Sequence, residues 1–318
     1  DGTLDISGVT SNTKIQELKS SSTSGSVNLG DKELDVAKGN FSGVVKGING
    51  TLTKTSDETL TLSGTNTYSG ATNINAGTLE LTDSGSIANS ESVTVKGVFD
   101  VSGVTTNTSV QDLQGTGSVK LGSKELKVAE GNFSGIVEGN NGTLTKTSAE
   151  TLTLSGTNTY TGATNINGGK LVLNSNGTIA SSAVNVNSGT ELNVVGDKTL
   201  NNLNSAGTVA FDNALILAGN NGTTISGLNG NGVVTKTGTG TTTLLNNTVG
   251  NFVQNTGIVN LNGTLTGNYT QLSDGATLNP SGNSTISGNA NLSGNVDILE
   301  DRKLNVGGDL TFKSGSVL

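Results

Sequence analysis

Residues Gly50–Asn75 read GTLTKTSDETLTLSGTNTYSGATNIN, and residues Gly142–Asn167 read GTLTKTSAETLTLSGTNTYTGATNIN. Only Asp57 against Ala149 and Ser69 against Thr161 differ, at an offset of 92 residues. A duplication this close governs the reading of everything else, because self-similarity at a fixed period is the signature of repeat architecture. The match runs upstream, where Lys32-Glu33-Leu34 recurs at Lys124-Glu125-Leu126 and Asn40-Phe41-Ser42-Gly43 at Asn132-Phe133-Ser134-Gly135. Further back, Leu4-Asp5-Ile6-Ser7-Gly8-Val9 is echoed by Phe99-Asp100-Val101-Ser102-Gly103-Val104 at an offset of 95. The three-residue slip falls in the serine-rich stretch Ser20 to Ser24, where a loop absorbs it. A decayed third copy follows: Val234-Thr235-Lys236-Thr237 corresponds to Leu144-Thr145-Lys146-Thr147, and Leu200-Asn201-Asn202-Leu203 echoes Val110-Gln111-Asp112-Leu113. From about Gly267 the texture changes. The expected organisation is one continuous solenoid over 1–318, with near-identical units at about 1–91 and 92–183, a decayed unit at about 184–266, and distinct C-terminal coils over 267–318.

Inside each unit runs a shorter beat. Thr59-Leu60-Thr61-Leu62 and Thr78-Leu79-Glu80-Leu81 alternate polar and apolar residues, as a half-buried strand does. Their leucine pairs lie 19 residues apart, with Gly at the bends between them. That length accommodates three short strands and three turns, one coil of a three-sided β-helix. A 92-residue unit would then hold four or five coils. The predicted fold class is all-β: a single right-handed parallel β-helix, or three-sided β-solenoid. Helical periodicity is nearly absent, and Lys14 to Lys19 is the one candidate turn of helix. Inward Leu, Val and Ile would stack from coil to coil, each contributing roughly 1.5–3 kcal/mol when buried. Backbone hydrogen bonds would run between coils, leaving unpaired strand edges only at the two ends.

Composition agrees. Gly is abundant (47), Pro occurs once, aromatics make up 3% and Trp is absent. Stacked aliphatic rungs need no large rings. Leu, Ile, Val and Phe still make up about a quarter of the chain, above the range that marks disorder, and they alternate rather than scatter. The formal charge is −8, Arg302 is the single arginine and the lysines are dispersed, which excludes a phosphate-tracking, nucleic-acid-binding surface. No apolar run approaches the ~20 residues of a membrane-spanning helix. The absence of Cys excludes disulfides and thiolate metal sites, and it suits a chain that crosses a narrow pore unfolded.

The chemistry-bearing residues give no site. With neither His nor Cys, the usual base for activating a Ser or Thr nucleophile is missing. A Ser–Lys pair is the remaining route, but Lys54 and Lys146 recur at one repeat position, as a structural ladder would. Asp57-Glu58 is the tempting acid/base pair for a polysaccharide-cleaving β-helix. Its repeat mate is Ala149-Glu150, so the pair reads as a solvated turn. Tyr68, Tyr160 and Tyr269 are too few for a carbohydrate-binding platform, and Tyr68 and Tyr160 are expected to pack at the same corner of successive units. No GGxGxD calcium repeat occurs. Gly168-Gly169-Lys170 is followed by Leu171, not the Ser or Thr of a phosphate loop. Thr51/Thr53 and Thr59/Thr61 would make an ice-binding face only if stacked on every coil, and read instead as outward strand threonines. Sequons such as Asn49-Gly50-Thr51 and Asn141-Gly142-Thr143 are expected by chance in so Asn-rich a chain. The expected inventory is no catalytic, no cofactor-binding and no metal-binding residue, and no enzyme.

Leu52 to Leu81, and again Leu144 to Leu173, resemble the passenger-associated transport repeat of bacterial autotransporters. The matching residues carry its lysine, its L-x-L, its S/G-x-N-T-Y-x-G-x-T and its G-x-L-x-L. Val110 to Val128 is similar to the coil that leads into such a repeat, and Asn268 to Asn279 to a segment nearer a passenger's C-terminal end. The resemblance implies a type V secretion passenger, exported through a C-terminal outer-membrane barrel and displayed outside the cell. It implies repeats that aid translocation and folding, and a role as adhesin or stalk. The implied partners are a ligand on a host cell, matrix or neighbouring cell, and the barrel itself, with self-association as a further expectation. Neither a signal peptide nor a barrel is present, so the sequence is expected to be a segment of a longer chain. The alternative class is a self-assembling surface-layer or filament protein, and after it a polysaccharide-active β-helix enzyme.

Overall fold

The structure is a computed structural model that describes residues 2–313 and 316–317. Short parallel strands make up its regular structure, and no helix occurs among the described residues. Strands pair with the strand roughly one coil later rather than with their chain neighbour, which makes a β-solenoid of about 16 turns. Lys14 to Lys19, the one candidate for helix, lies within the strand Thr13–Ser20. Its hydrogen bonds go to Glu33–Phe41 in the next coil, so tertiary pairing overrides a weak local preference.

The chain forms two compact units, one of residues 1–163 with 176–179 and the other of 164–175 with 180–318. In the first, one column runs Leu34, Leu52, Thr72, Val93, Leu113, Gly131, Leu152, with partners 18 to 21 residues apart. A second column runs Gly39, Leu60, Leu79, Phe99, Val119, Val137. Its five side chains from Leu60 to Val137 are all 0% exposed, so this single stack fills one side of the core. The Leu60–Leu79 and Leu62–Leu81 pairings are the 19-residue beat of the sequence. A third column begins with Leu4, Val27 and Val45. Three columns make three sides.

The repeat unit does not close on a whole number of coils. The strand Glu33–Phe41 starts in the first column, at Leu34. Its copy Glu125–Phe133 starts at Leu126, which pairs with Thr108 and Leu144, while the first column passes through Leu113 and Gly131. Likewise Thr59–Leu62 stands in the second column, and its copy Thr151–Leu154 in the first. The 92-residue unit therefore spans about four and two-thirds coils, and the second copy is turned by a third of a revolution.

Corners are tight because backbones stack there. A Cβ added at Gly64 would lie 2.0 Å from the Gly43 carbonyl oxygen, and one at Gly156 would lie 1.9 Å from that of Gly135. Only a residue without a side chain fits such an approach.

In the second unit a column of inward residues runs Ile166, Val186, Ser205, Ile225, Leu244, Leu261, Pro280. Its outward neighbours are Asn165, Asn185, Asn204, Thr224, Thr243, Asn260 and Asn279. Every one is an uncharged amide or hydroxyl.

Candidate functional site

The duplicated motif is the natural candidate, and several of its polar residues are buried. Lys54 ends the strand Thr51–Lys54 and is 1% exposed. In its column it stands between Val36 and Ile74, at a place apolar residues fill in the neighbouring coils. Its ammonium donates to the Ser56 carbonyl, to Ser56 Oγ at 3.3 Å and to the Ala76 carbonyl at 3.4 Å. Lys146 repeats this with the Ser148 carbonyl at 2.6 Å and Ser148 Oγ at 3.2 Å. In the decayed copy Lys236 donates to the Gly238 carbonyl. Turn carbonyls facing the interior need donors, and an ammonium supplies three with no acceptor of its own. Burial pushes all three ammonium groups below their ordinary pKa. Lys198 does the same work unannounced by any motif, donating to the carbonyls of Ser175 and Val195 at 2.8 Å.

Ser56 beside Lys54 has the spacing of a Ser–Lys pair without its chemistry. The Ser56 hydroxyl donates to the Ala37 carbonyl at 2.6 Å, and Ser148 donates to Ala129 at 2.6 Å. A nucleophile must hand its proton to the base. Here that proton is held by backbone and the amine is a donor to carbonyls. The third copy has Gly238 in place of the serine.

Asn66 and Tyr68 complete the turn. Asn66 Oδ1 accepts from the Val45 amide at 2.9 Å, and its Nδ2 donates to the carbonyls of Gly64 at 3.0 Å and Ser86 at 3.1 Å. Asn158 bridges Val137, Gly156 and Thr178 in the same way. The Tyr68 hydroxyl meets Thr72 Oγ1 at 2.6 Å, which donates to Ser90 Oγ at 2.9 Å, which donates to the Gly70 carbonyl at 2.8 Å. Burial pushes the Tyr68 phenol well above its ordinary pKa. Tyr269, outside the motif, donates to Gln254 Oε1 and stacks on Phe252 with ring centres 5.9 Å apart. All three tyrosines are buried, so none offers a ring to a ligand.

Tyr68 and Tyr160 hold the same place in their units but not the same side of the coil. The chain beside Tyr68 bonds to Val45, and that beside Tyr160 to Val137. Val45 belongs to the third column and Val137 to the second. The shared corner expected from sequence has moved with the third of a revolution.

Asp57 and Glu58 are exposed. Glu58 is paired with Lys38 at 2.8 Å. Among the described residues no three of His, Cys, Asp and Glu are grouped to hold a metal. Lys170 pairs with Glu191 at 2.8 Å. Thr53 lies on the outward side of its strand, between inward Leu52 and Lys54, yet it is covered: it is 3% exposed and donates to Glu33 Oε1 at 2.6 Å. Thr145 and Glu125 repeat that bond. In the pairs Thr51/Thr53 and Thr143/Thr145 one hydroxyl of each two is therefore covered and bonded to a carboxylate.

The buried polar residues of the repeat thus serve the solenoid's own turns, and comparison with known proteins places the same stretches in a named repeat family. The family described as Passenger-associated-transport-repeat matches residues 52–81 and 144–173. These repeats support an autotransporter passenger domain displayed at the cell surface. Over 144 residues the chain is similar, at 36% identity, to a protein named Adhesin BmaC autotransporter from Brucella suis biovar 1 (strain 1330). The aligned stretch takes in 41% of this chain and 4% of that protein. The chain thus corresponds to a small part of the length of the relative it matches. No solved structure matches it.

Proposed function

We propose that this chain is a surface-displayed passenger segment that acts as an adhesive stalk and catalyses nothing. The observation that carries the reading is the inward commitment of the motif's polar groups: Lys54, Asn66 and Tyr68 are 1 to 2% exposed and bonded to the chain's own turns. What remains outside is strand surface suited to contact rather than reaction. The relative's name, an adhesin, supports contact as the role. In this reading an outer-membrane barrel carries the segment out, and the ligand lies on a host cell, matrix or neighbouring bacterium. Expression of the 318-residue chain on beads tests it. Chain-coated beads should attach to cultured epithelial cells or to a bacterial lawn above albumin-coated ones, and the soluble chain should compete. Attachment no greater than that of albumin would overturn the adhesive role. Release of reducing ends from polysaccharide would overturn the non-catalytic one.

A further inference from the structure

We infer that the outward ladder of the second unit is a binding face for an uncharged polysaccharide, laid along the column of rungs beginning at Asn165. The inference deepens the adhesive reading and rests on it for its biological setting.

Three observations carry it. Asn185 Nδ2 donates to Asn165 Oδ1 at 2.8 Å, Asn204 Nδ2 reaches Asn185 Oδ1 at 3.5 Å, and Asn204 Oδ1 accepts from the Thr224 amide at 3.2 Å. A carboxamide has two donor hydrogens and two acceptor lone pairs. The ladder uses one of each on Asn185, so that side chain keeps one donor and one acceptor for a ligand while its orientation is fixed. Asn185 is half-buried, and Asn187, fixed by its own bond to Asn167 at 2.9 Å, is exposed.

The ladder also borders a groove of about 490 Å³, lined by these amides, by hydroxyls of Thr224 and Ser226, and by the aliphatic carbons of Ala206 and Leu245. Sugars present both hydroxyls, which donate and accept, and C–H faces, which pack on aliphatic carbon. The groove offers both. Its rungs recur every ~4.8 Å, close to the advance per residue of an extended pyranose chain. A glycan lying along the column would then repeat the same weak contact rung after rung, and such contacts gain through multivalency.

Finally, the face carries no charge. The outward residues of the column, from Asn165 through Asn185 and Asn204 to Asn279, are all amides or hydroxyls. Every residue lining the groove is neutral. An anionic glycan or nucleic acid would find no cation there. A protein partner would find none of the exposed Trp, Tyr or Arg anchors on which interfaces depend.

The test uses the purified 318-residue chain in affinity electrophoresis through gels containing dextran, mannan, laminarin or heparin. At least one neutral polymer should retard the chain, equally in low and high salt, and heparin should not. Asn185→Ala and Asn204→Ala should each weaken retention about tenfold, the effect of losing roughly one hydrogen bond. Asn193→Ala, an outward asparagine in another column of the same unit, should change nothing, and circular dichroism should show all three variants folded. Retention by heparin alone, retention by no polymer, or equal loss in all three variants would overturn the inference. So would concentration-dependent sedimentation abolished by Asn185→Ala, which would make a second copy the occupant. Bead attachment to cells is read separately, so loss of glycan binding with attachment intact overturns this inference and spares the adhesive role.

Discussion

Gly50–Asn75 and Gly142–Asn167 differ at two positions, and the structure gives them the same internal bonds on different sides of the coil. Lys54 and Lys146, and Asn66 and Asn158, make matching sets of hydrogen bonds. Their surroundings on the outer surface do not match. Glu17, Lys38 and Glu58 alternate in sign along the first copy, with Lys38 and Glu58 2.8 Å apart. The counterparts are Asp112, Glu130 and Glu150, all negative. The inner bonds have stayed while the outer charges have drifted. Stability in a solenoid comes from each coil and its neighbours, so the inner set is fixed by local stacking whichever side it faces. These outer charges are free of that constraint.

The largest effect should come from Gly64→Ala and Gly156→Ala. The new Cβ meets a carbonyl oxygen at 2.0 or 1.9 Å, and overpacking against a backbone that cannot yield should cost about 3 kcal/mol. Hydrogen exchange should open the flanking coils equally in both variants. A loss confined to one copy would show that the two are not equivalent inside.

Next come Lys54→Met and Lys146→Met, which keep the volume and remove the donors. Buried turn carbonyls left unpaired should cost about 1–3 kcal/mol in each copy, read by urea denaturation. Burial lowers both lysines from the ordinary value of 10.5. Between the lowered value and 10.5 the unfolded chain binds the extra proton, so stability rises with pH in that window, and each Met variant should flatten the rise.

Tyr68→Phe should act with the opposite sign. The buried phenol titrates above its ordinary 10.0, so its contribution is complete below pH 10 and is lost as pH climbs beyond it. The Phe variant should be slightly less stable at neutral pH and less sensitive to alkali than the parent, by fluorescence-monitored melting. A variant with undiminished alkaline sensitivity would place the phenol in water.

The smallest effect is at the surface. Lys38→Glu, which gives the first copy the charges of the second, should lower stability slightly at low ionic strength and not at all in high salt. A loss that survives high salt would mean that the outer charges hold the coil after all.

Much of this was legible in sequence. The strict alternation at Leu60/Leu62 and Leu79/Leu81 specified strands, and their spacing specified the coil. The recurrence of Lys54 at Lys146 and Lys236 marked a structural role, because a ladder residue must recur wherever its turn does. Other features were hidden for physical reasons. Thr53 looks like any outward strand threonine, and only the Glu33 carboxylate reaching over from the preceding coil shows why it is covered. Lys198 lies in no motif, since its partners at Ser175 and Val195 belong to a different coil and a bend. Lys14 to Lys19 could not declare itself a strand, because its pairing partner lies some 20 residues away. The amide ladder was invisible for a related reason: Asn165, Asn185 and Asn204 become neighbours only once the coil length is fixed by the turns between them.

The fractional length of the repeat has one more consequence. Each added copy of a 92-residue unit would swing everything downstream through a third of a circle, and three copies would come full circle after about 14 coils. Gene duplication in such a chain is a steering operation as well as an extension. By gaining or losing one unit, a lineage could re-aim a distal contact face toward a new bearing without altering a single residue of it.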